Sequence, residues 1–563
     1  MNTTDATDTV DQTGSENSQL VDHFRQVLLW PVQLLCLQHG GDSADHWRLM
    51  PAHCAENPWS PVIDEFTEDP TRFQERHYRE FVSFLPHVQR FLYGRKCSGA
   101  ERQDKDISPI KVFRREDVKS VRLTLPDFQV VTLEVKHVDL YFFYDIDVAI
   151  LVVEVFGSML TLECTQEIVC RFGRAFPTGW DTNGEPSHCM RNVEWLGAAG
   201  NVLASSNFSD RTKFLNYTGS NRSASIGAHW EFLLRPMVQN DSDQEGALRY
   251  SQLEYHRMPK LTFIAMADPT ILSRQDYLRL ALGLGAGDDR AAGASLGYSE
   301  AATCQMEQAY YYDRYWGIDM RSQPAPTRVT CNGHSMVMLC SSRNAWQMNE
   351  DSGLLSQFRH QFFIVALIAH FHKAALLQMS NRLVDAISAL NIKDSVSKQD
   401  FKIEIRECLE AFLRFNHRYW FHEVSIQPMM QDLYALFGHH LGNTKSFEEL
   451  RTEILDMGQY LDSDDARRQG ESVLRLTVVT IFGLVGTIVT GFLGMNLLAE
   501  ADNPFIVKVG YFFIVLIPTM LLTAFTVNQS STLSALLDVI GEKGLSWKQR
   551  WSKIMSLNAS RRR

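Results

Sequence analysis

Seven residues near the C-terminal end have the spacing of a single helix face. Val473, Leu476, Thr480, Leu484, Thr487, Gly491 and Gly494 are separated by 3, 4, 4, 3, 4 and 3 positions. That seven-residue repeat marks one face of a helix, the pattern of helices packed side by side about an axis. The face is small, hydroxylated or leucine, and Gly483-x-x-x-Thr487-x-x-x-Gly491 would let helix backbones approach closely. Plain helix packing in a membrane anchor accounts for this repeat equally well. The next residues favour more than an anchor. Gly494-Met495-Asn496 closes the helix with a polar amide, where a helix terminus leaves carbonyls unpaired and able to coordinate a cation. Glu500 and Asp502 follow, either as a solvated loop or as carboxylates that concentrate cations by their field. Continuing the repeat downward from Leu476 through Gln469 reaches Asp462, a candidate cytoplasmic carboxylate. Asp464 and Asp465 beside it equally suit an ordinary solvated face.

The elements that must position these residues are membrane spans. From Leu476 to Ala499 no residue is charged, a run long enough at 1.5 Å per residue to cross about 30 Å of hydrocarbon. Val509 to Val527 reads as a second span, with Pro518 as a candidate bend. Phe362–Ala369 is apolar but too short to cross and runs into His370, His372 and Lys373, so it is expected in the core of a soluble helix. Arg475 precedes the first span, while Lys543, Lys548, Arg550, Lys553 and Arg561–Arg563 follow the second. Both termini are therefore expected in the cytoplasm, with the loop between the spans on the far side. Ser446-x-x-Glu449 reads as a capping box that opens a single helix to Asn496, roughly 75 Å long, leading from a soluble body into the bilayer.

With 563 residues, 45% hydrophobic and 21% charged, the chain has ample core-forming material and room for two to four structural units. Its net charge of -11 is uneven. Residues 471–563 hold nine Lys and Arg against five Asp and Glu, so they carry +4 and leave -15 on residues 1–470. An acidic body opposes phosphate binding, which excludes a nucleic-acid partner in the absence of a basic groove. Ten scattered cysteines without CxxC indicate neither a disulfide framework nor a zinc ribbon. The first twenty residues lack Lys, Arg and an apolar core, so a disordered acidic tail is expected there and not a signal peptide.

The expected organisation is a tail over 1–20, a cytoplasmic α/β domain with an insertion over 21–350, and a helical subdomain over 351–445. The stem helix and first span follow over 446–498, the outer loop over 499–508, the second span over 509–527 and a basic tail over 528–563. Val118–Phe156 predicts three or four strands of one sheet, with pairing runs at Trp230–Leu234, Leu261–Ala267 and Met336–Leu339 and a helix near Leu272–Leu284. Leu354–Leu390 predicts one long amphipathic helix and Ser397–His440 a second, broken at Pro428.

A long cytoplasmic stem, a first span ending in Gly-Met-Asn, a brief acidic loop, a second span and a basic tail together resemble the CorA family of divalent-cation channels. The resemblance is carried by Ser446–Val527 and is topological over the preceding regions. It implies a funnel-shaped homopentamer in the inner membrane, with no cofactor and no enzymatic activity, that moves a divalent cation, Mg²⁺ foremost and Co²⁺ or Ni²⁺ besides. By position, Gly494, Met495 and Asn496 would form the selectivity ring, with Asn496 as the cation-recognising amide. Val473, Leu476, Thr480, Leu484, Thr487 and Gly491 would line the pore below it. The chain departs from the magnesium members in its loop, Leu497-Leu498-Ala499-Glu500-Ala501-Asp502-Asn503-Pro504, and in Leu493 where they carry Tyr. A zinc transporter similar to ZntB is one alternative. A membrane-anchored sensor or enzyme whose spans only tether it is another.

Other chemistry-bearing signals have plainer readings. Gly283-Leu-Gly285-Ala-Gly287 follows a helical run and reads as a helix end instead of a phosphate loop. Cys331, His334 and Cys340 lack a fourth metal ligand, and Tyr310–Trp316 reads as packing or a subunit contact.

Overall fold

Fourteen strands form one sheet in the computed structural model, which describes residues 20–36, 46–47, 49–52, 57–62, 75–94, 109–246, 248–254, 256–286, 297–316, 326–391, 395–494 and 504–528. The chain divides into two compact units, Met1–Glu453 and Ile454–Arg563. In the first unit the strands are β1 Leu20–Cys36, β2 Trp59–Pro61, β3 Ile110–Arg115, β4 Ser120–Thr124, β5 Val130–Phe143, β6 Val148–Thr161, β7 Asn192–Leu196, β8 Val202–Ser205, β9 Val238–Gln239, β10 Leu248–Gln252, β11 Lys260–Met266, β12 Tyr311–Tyr312, β13 Arg328–Cys331 and β14 Ser335–Ser341. Their order is β12-β13-β14-β11-β1-β6-β5-β4-β7-β8, with β10 beside β1 and β3 beside β5. Pairing is antiparallel except at β11–β14 and β9–β10.

The central strand β1 is invisible to sequence patterning because Pro31 sits inside it, where a missing N–H normally breaks a ladder. The register explains its tolerance. On one edge β1 pairs with β6 from Leu20 to Gln33, Pro31 facing Ile150. On the other edge β11 covers Val21–Leu28 and β10 covers Val32–Cys36, so Pro31 falls where one neighbour gives way to the next. No donor is needed there.

Val118–Phe156 forms β4, β5 and the start of β6, and Leu261–Ala267 and Met336–Leu339 lie in the parallel pair β11–β14. Trp230–Leu234, in contrast, is not a strand. It lies in a helix, Ala228–Leu234, because its buried residues Trp230, Leu233 and Leu234 repeat at i, i+3 and i+4. Trp230 packs against Trp30 and Trp195, and its indole donates to Arg174 O at 2.8 Å, so a large buried ring keeps its polar atom satisfied.

Leu354–Ala389 is long and apolar enough to cross a bilayer, yet 83% of its most apolar stretch is buried inside the first unit. It packs between β1 and β6 on one side and two helices, Ser395–Arg418 and Pro428–Leu441, on the other. Layers on both sides remove the polar face an amphipathic helix would need, so this core helix departs from that expectation. Its Phe358–Phe362 turn is π-helical. The helix expected over Ser397–His440 is two, and Pro428 opens the second, where its missing N–H breaks no bond. The following long helix begins at Asn443, not at Ser446. Gly442, with φ +68°, caps the preceding helix, and Asn443 Nδ2 donates to Ala369 O at 2.9 Å. Ser446 therefore lies inside the first turn, its N–H bonded to Gly442 O, and caps nothing.

His370 and His372 are both buried in the core helix, and burial pushes their pKa down to about 3 and about 4. Burial likewise lowers His229 to about 3, and burial followed by the Arg25 charge lowers His23 to about 4. In the unfolded chain these imidazoles take up protons near pH 6.5, so on acidification the unfolded state gains protons first and stability falls as pH falls. Carboxyls raised by burial, Glu254 to about 7 together with Glu231 and Asp313, act in the opposite sense but are fewer than the lowered histidines, which also include His256 at about 4. The melting temperature of the full chain in detergent is expected to drop steadily between about pH 6.5 and pH 4. A flat profile over that window would show that these histidines are not buried as neutral rings.

Candidate functional site

The long helix Asn443–Leu493 carries the seven-residue repeat, and its threonines decide what that repeat offers. Thr480 Oγ1 donates to Leu476 O and Thr487 Oγ1 to Gly483 O, each at 2.8 Å. Thr477 and Thr490 do the same to Val473 O and Gly486 O. A hydroxyl has one proton and two acceptor lone pairs, so each of these side chains is left as an acceptor only. Its donor is engaged within its own helix. Groups of this kind suit a guest that presents outward-pointing hydrogens, as the water shell of a cation does.

The face is geometrically coherent. At about 100° per residue, Val473, Leu476, Thr480, Leu484, Thr487, Gly491 and Gly494 fall within an arc of about 80°. All seven are exposed, Val473 at 62%, Leu476 at 67% and Leu484 at 62%. Gln469 and Asp462 extend the same arc downward and are exposed too. Residues with cover in this stretch, Val478, Val479, Phe482 and Gly486, centre about 140° away. There a second helix, Phe505–Asn528, approaches. A Cβ at Gly486 would stand 3.1 Å from the Thr519 methyl, whereas Gly483 and Gly491 on the other side face open space. One side of the helix is thus occupied within the chain, and the repeat lies on the unoccupied side.

The second helix, 24 residues and about 36 Å long, exposes Ile506, Phe513, Ile514, Ile517, Leu521 and Phe525. Apolar surface of that extent is uncommon on a water-soluble monomer. The spans expected at Leu476–Ala499 and Val509–Val527 fall on helical backbone as far as it is described. Met495, Asn496, Glu500 and Asp502 lie outside the described residues.

Sequence reasoning missed Gly486 as the point of helix approach, because GxxxG patterning selects Gly483 and Gly491 equally. In the first unit, Gly283 is the left-handed cap of the helix Arg274–Leu282, as its position after a helical run implies. Burial pushes the Cys331 thiol up to about 12 and Cys340 higher still. Among the described residues no three His, Cys, Asp or Glu side chains gather to hold a metal. Tyr311 and Tyr312 form the edge strand β12, where Tyr312 Oη donates to Asp432 at 2.8 Å and Arg328 stacks on Tyr311, so this aromatic run packs within the chain.

Residues 370–527 match the family model described as CorA-like Mg²⁺ transporter protein. The match begins within the core helix and runs through the four helices that follow it, leaving the sheet uncovered. No curated protein matches the chain.

The two sides of the long helix predict different responses to added bulk. Gly486→Leu is expected to cost about 1–3 kcal/mol by forcing the two helices apart. Gly483→Ala should instead stabilise the helix by a few tenths to about 1 kcal/mol. Unfolding in mixed micelles followed by circular dichroism measures both, and equal effects would mean the two helices do not meet at Gly486.

Proposed function

We propose that this chain, which belongs to the CorA-like Mg²⁺ transporter family through residues 370–527, is a passive divalent-cation channel of the inner membrane, with Mg²⁺ as its foremost cargo. The observation that carries this reading is the exposed arc Val473–Gly494, lined by acceptor-only hydroxyls and lying away from the side where the second helix packs. Identical copies of the long helix, five in a closed ring, would turn this arc toward a common axis, while Phe505–Asn528 would form the outer ring against lipid.

Mg²⁺ dehydrates reluctantly and demands octahedral oxygen. A ring of Asn496 amides and Gly494 carbonyls would recognise its water shell without stripping it, in the Gly494-Met495-Asn496 motif. Below, Thr487 and Thr480 would accept hydrogen bonds from the shell. Leu484 and Leu476, in five copies each, would close the path by dewetting until the helices tilt apart. Val473 continues the lining toward the cytoplasm, and Gly491 leaves room for the shell. Glu500 and Asp502 would draw cations to the outer mouth, and Asp462 would receive them at the cytoplasmic end. A potential of 100 mV, negative inside, favours entry of a divalent ion by about 4.6 kcal/mol, so no second energy source is required.

Particle mass and flux test this reading together. The detergent-solubilised particle is expected near five times 64.3 kDa. In liposomes, Mg²⁺ should enter, and Asn496→Ala should change cation flux sharply while the assembly survives. A monomer or dimer, or unaltered flux in the variant, contradicts the proposal. Uptake of Zn²⁺ alone, among Mg²⁺, Zn²⁺, Co²⁺ and Ni²⁺, would favour the zinc alternative.

A further inference from the structure

Arg174 and Arg257 face one another across an isolated antiparallel bridge in the first unit. Ala175 N donates to His256 O at 2.8 Å and Met258 N to Gly173 O at 2.9 Å, so the bonds flank the bridge and the arginines form its non-hydrogen-bonded pair. In such a pair the Cα atoms approach to about 4.5 Å and both side chains leave on one face. Like charges set directly opposite destabilise the pairing unless something negative lies against them.

The chain supplies part of that compensation. Arg174 Nε donates to Cys170 O at 3.1 Å and Lys260 Nζ donates to Val169 O, so both cap the C-terminal end of the helix Leu162–Arg171. Arg257 Nη2 donates to Leu282 O at 2.7 Å and Gly283 O at 3.2 Å, at the end of the helix Arg274–Leu282. Each helix end carries about half a negative charge, so the two ends offset about one of the two guanidiniums. Burial holds the Lys260 ammonium well below its usual range, so it adds little charge of its own. About one positive charge is left over.

No carboxylate among the described residues acts on this group. Burial and then the Arg174 charge lower Arg257 to about 10, and burial followed by Arg174, Arg257 and His188 lowers His256 to about 4. Two exposed imidazoles stand within reach of the pair, His188 lowered by burial and then Arg174, His334 by burial and then Arg257. Two donors also remain unspent. Arg174 Nη1 lies 2.7 Å from His256 Nε2, which leaves Nη2, while Arg257 commits Nη2 to its carbonyls, which leaves Nη1. Neither leftover nitrogen meets an acceptor among the described residues, and, unlike Arg257 Nε, neither is sealed from solvent.

We propose that Arg174 and Arg257 together bind one small oxyanion, its oxygens accepting from Arg174 Nη2 and Arg257 Nη1. Guanidinium donors match carboxylate and phosphate oxygens alike, so the anion is the carboxylate of a small acid or a phosphate group. A metal cation would meet only repulsion here, and a neutral ligand would leave the surplus charge unmatched. The site lies outside the repeat of the long helix, and its test is binding, independent of transport.

Isothermal titration calorimetry of the full chain in detergent tests it, with inorganic phosphate, acetate and chloride as probes at constant ionic strength. Phosphate or acetate is expected to bind about tenfold or more tightly than chloride, and which of them does so separates a phosphate group from a carboxylate. Arg257→Gln should weaken that binding about tenfold. Should this variant fail to fold, protection of Arg257 from phenylglyoxal by the same anion in the wild-type chain, read by peptide mass, decides. Affinity no better than for chloride, wild-type affinity in folded Arg257→Gln, or an Arg257 left unprotected overturns the proposal. Asp288 and Asp289 lie outside the described residues. Binding that emerges only when Asp288→Asn and Asp289→Asn are combined would also overturn it, since the chain would then hold the pair with a carboxylate of its own.

Discussion

The committed proton of each threonine hydroxyl is the constraint on which the candidate passage depends. A helix in hydrocarbon must satisfy its polar groups internally. Thr477, Thr480, Thr487 and Thr490 do so by donating to carbonyls one turn back, which also strips them of donor character. What faces outward at Thr480 and Thr487 is lone-pair density, spaced by leucine. Alternation of acceptors with Leu476 and Leu484 gives a surface neither wholly wet nor wholly greasy. Against lipid, the acceptors would go unmatched. Against the water shell of a cation they are complementary, and this asymmetry is why the exposed arc is read as a lining and the side bearing Gly486 as packing.

The first unit is held by interactions of another kind. Its sheet and core helix enclose charges as well as apolar groups. Arg25 pairs with Glu154 at 2.5 Å, and Arg359, from the π turn, lies 3.4 Å from the same carboxylate. Burial pushes the Glu154 carboxyl up, but the two guanidiniums outweigh it and hold it below its usual value. Such a network is poor evidence for net stability, since desolvation offsets much of the attraction. Its directionality, however, ties β1, β6 and the π turn into one register, and a single lost partner would leave a buried charge uncompensated.

Different parts of this molecule are legible in the sequence for different physical reasons. The arc Val473–Gly494 is readable because helical period and residue size need no tertiary information. The covered side is not, since a glycine that meets Thr519 looks like one that meets nothing. Strand β1 is hidden because Pro31 is permitted only by a change of neighbouring strand, which is a property of the sheet and not of the segment. Ser446-x-x-Glu449 has the composition of a cap, but Gly442 has already turned the chain, and the same four residues fit inside a helix. Trp230–Leu234 is too short for apolar content alone to separate strand from helix. The π turn Phe358–Phe362 has no sequence signature.

Cysteine accessibility along the long helix tests the central claim most directly. The native cysteines all lie at or before Cys408, away from the segment in question. Single cysteines introduced at Leu476, Thr480, Leu484 and Thr487, and at Val478 and Phe482 on the covered side, would be challenged with a charged thiol reagent in proteoliposomes while Mg²⁺ entry is followed. The account predicts that reagent modifies the first four and blocks entry, and leaves the last two unmodified with flux intact. Modification confined to Val478 and Phe482, or labelling at positions 480 and 487 by a lipid-soluble reagent alone, would contradict it.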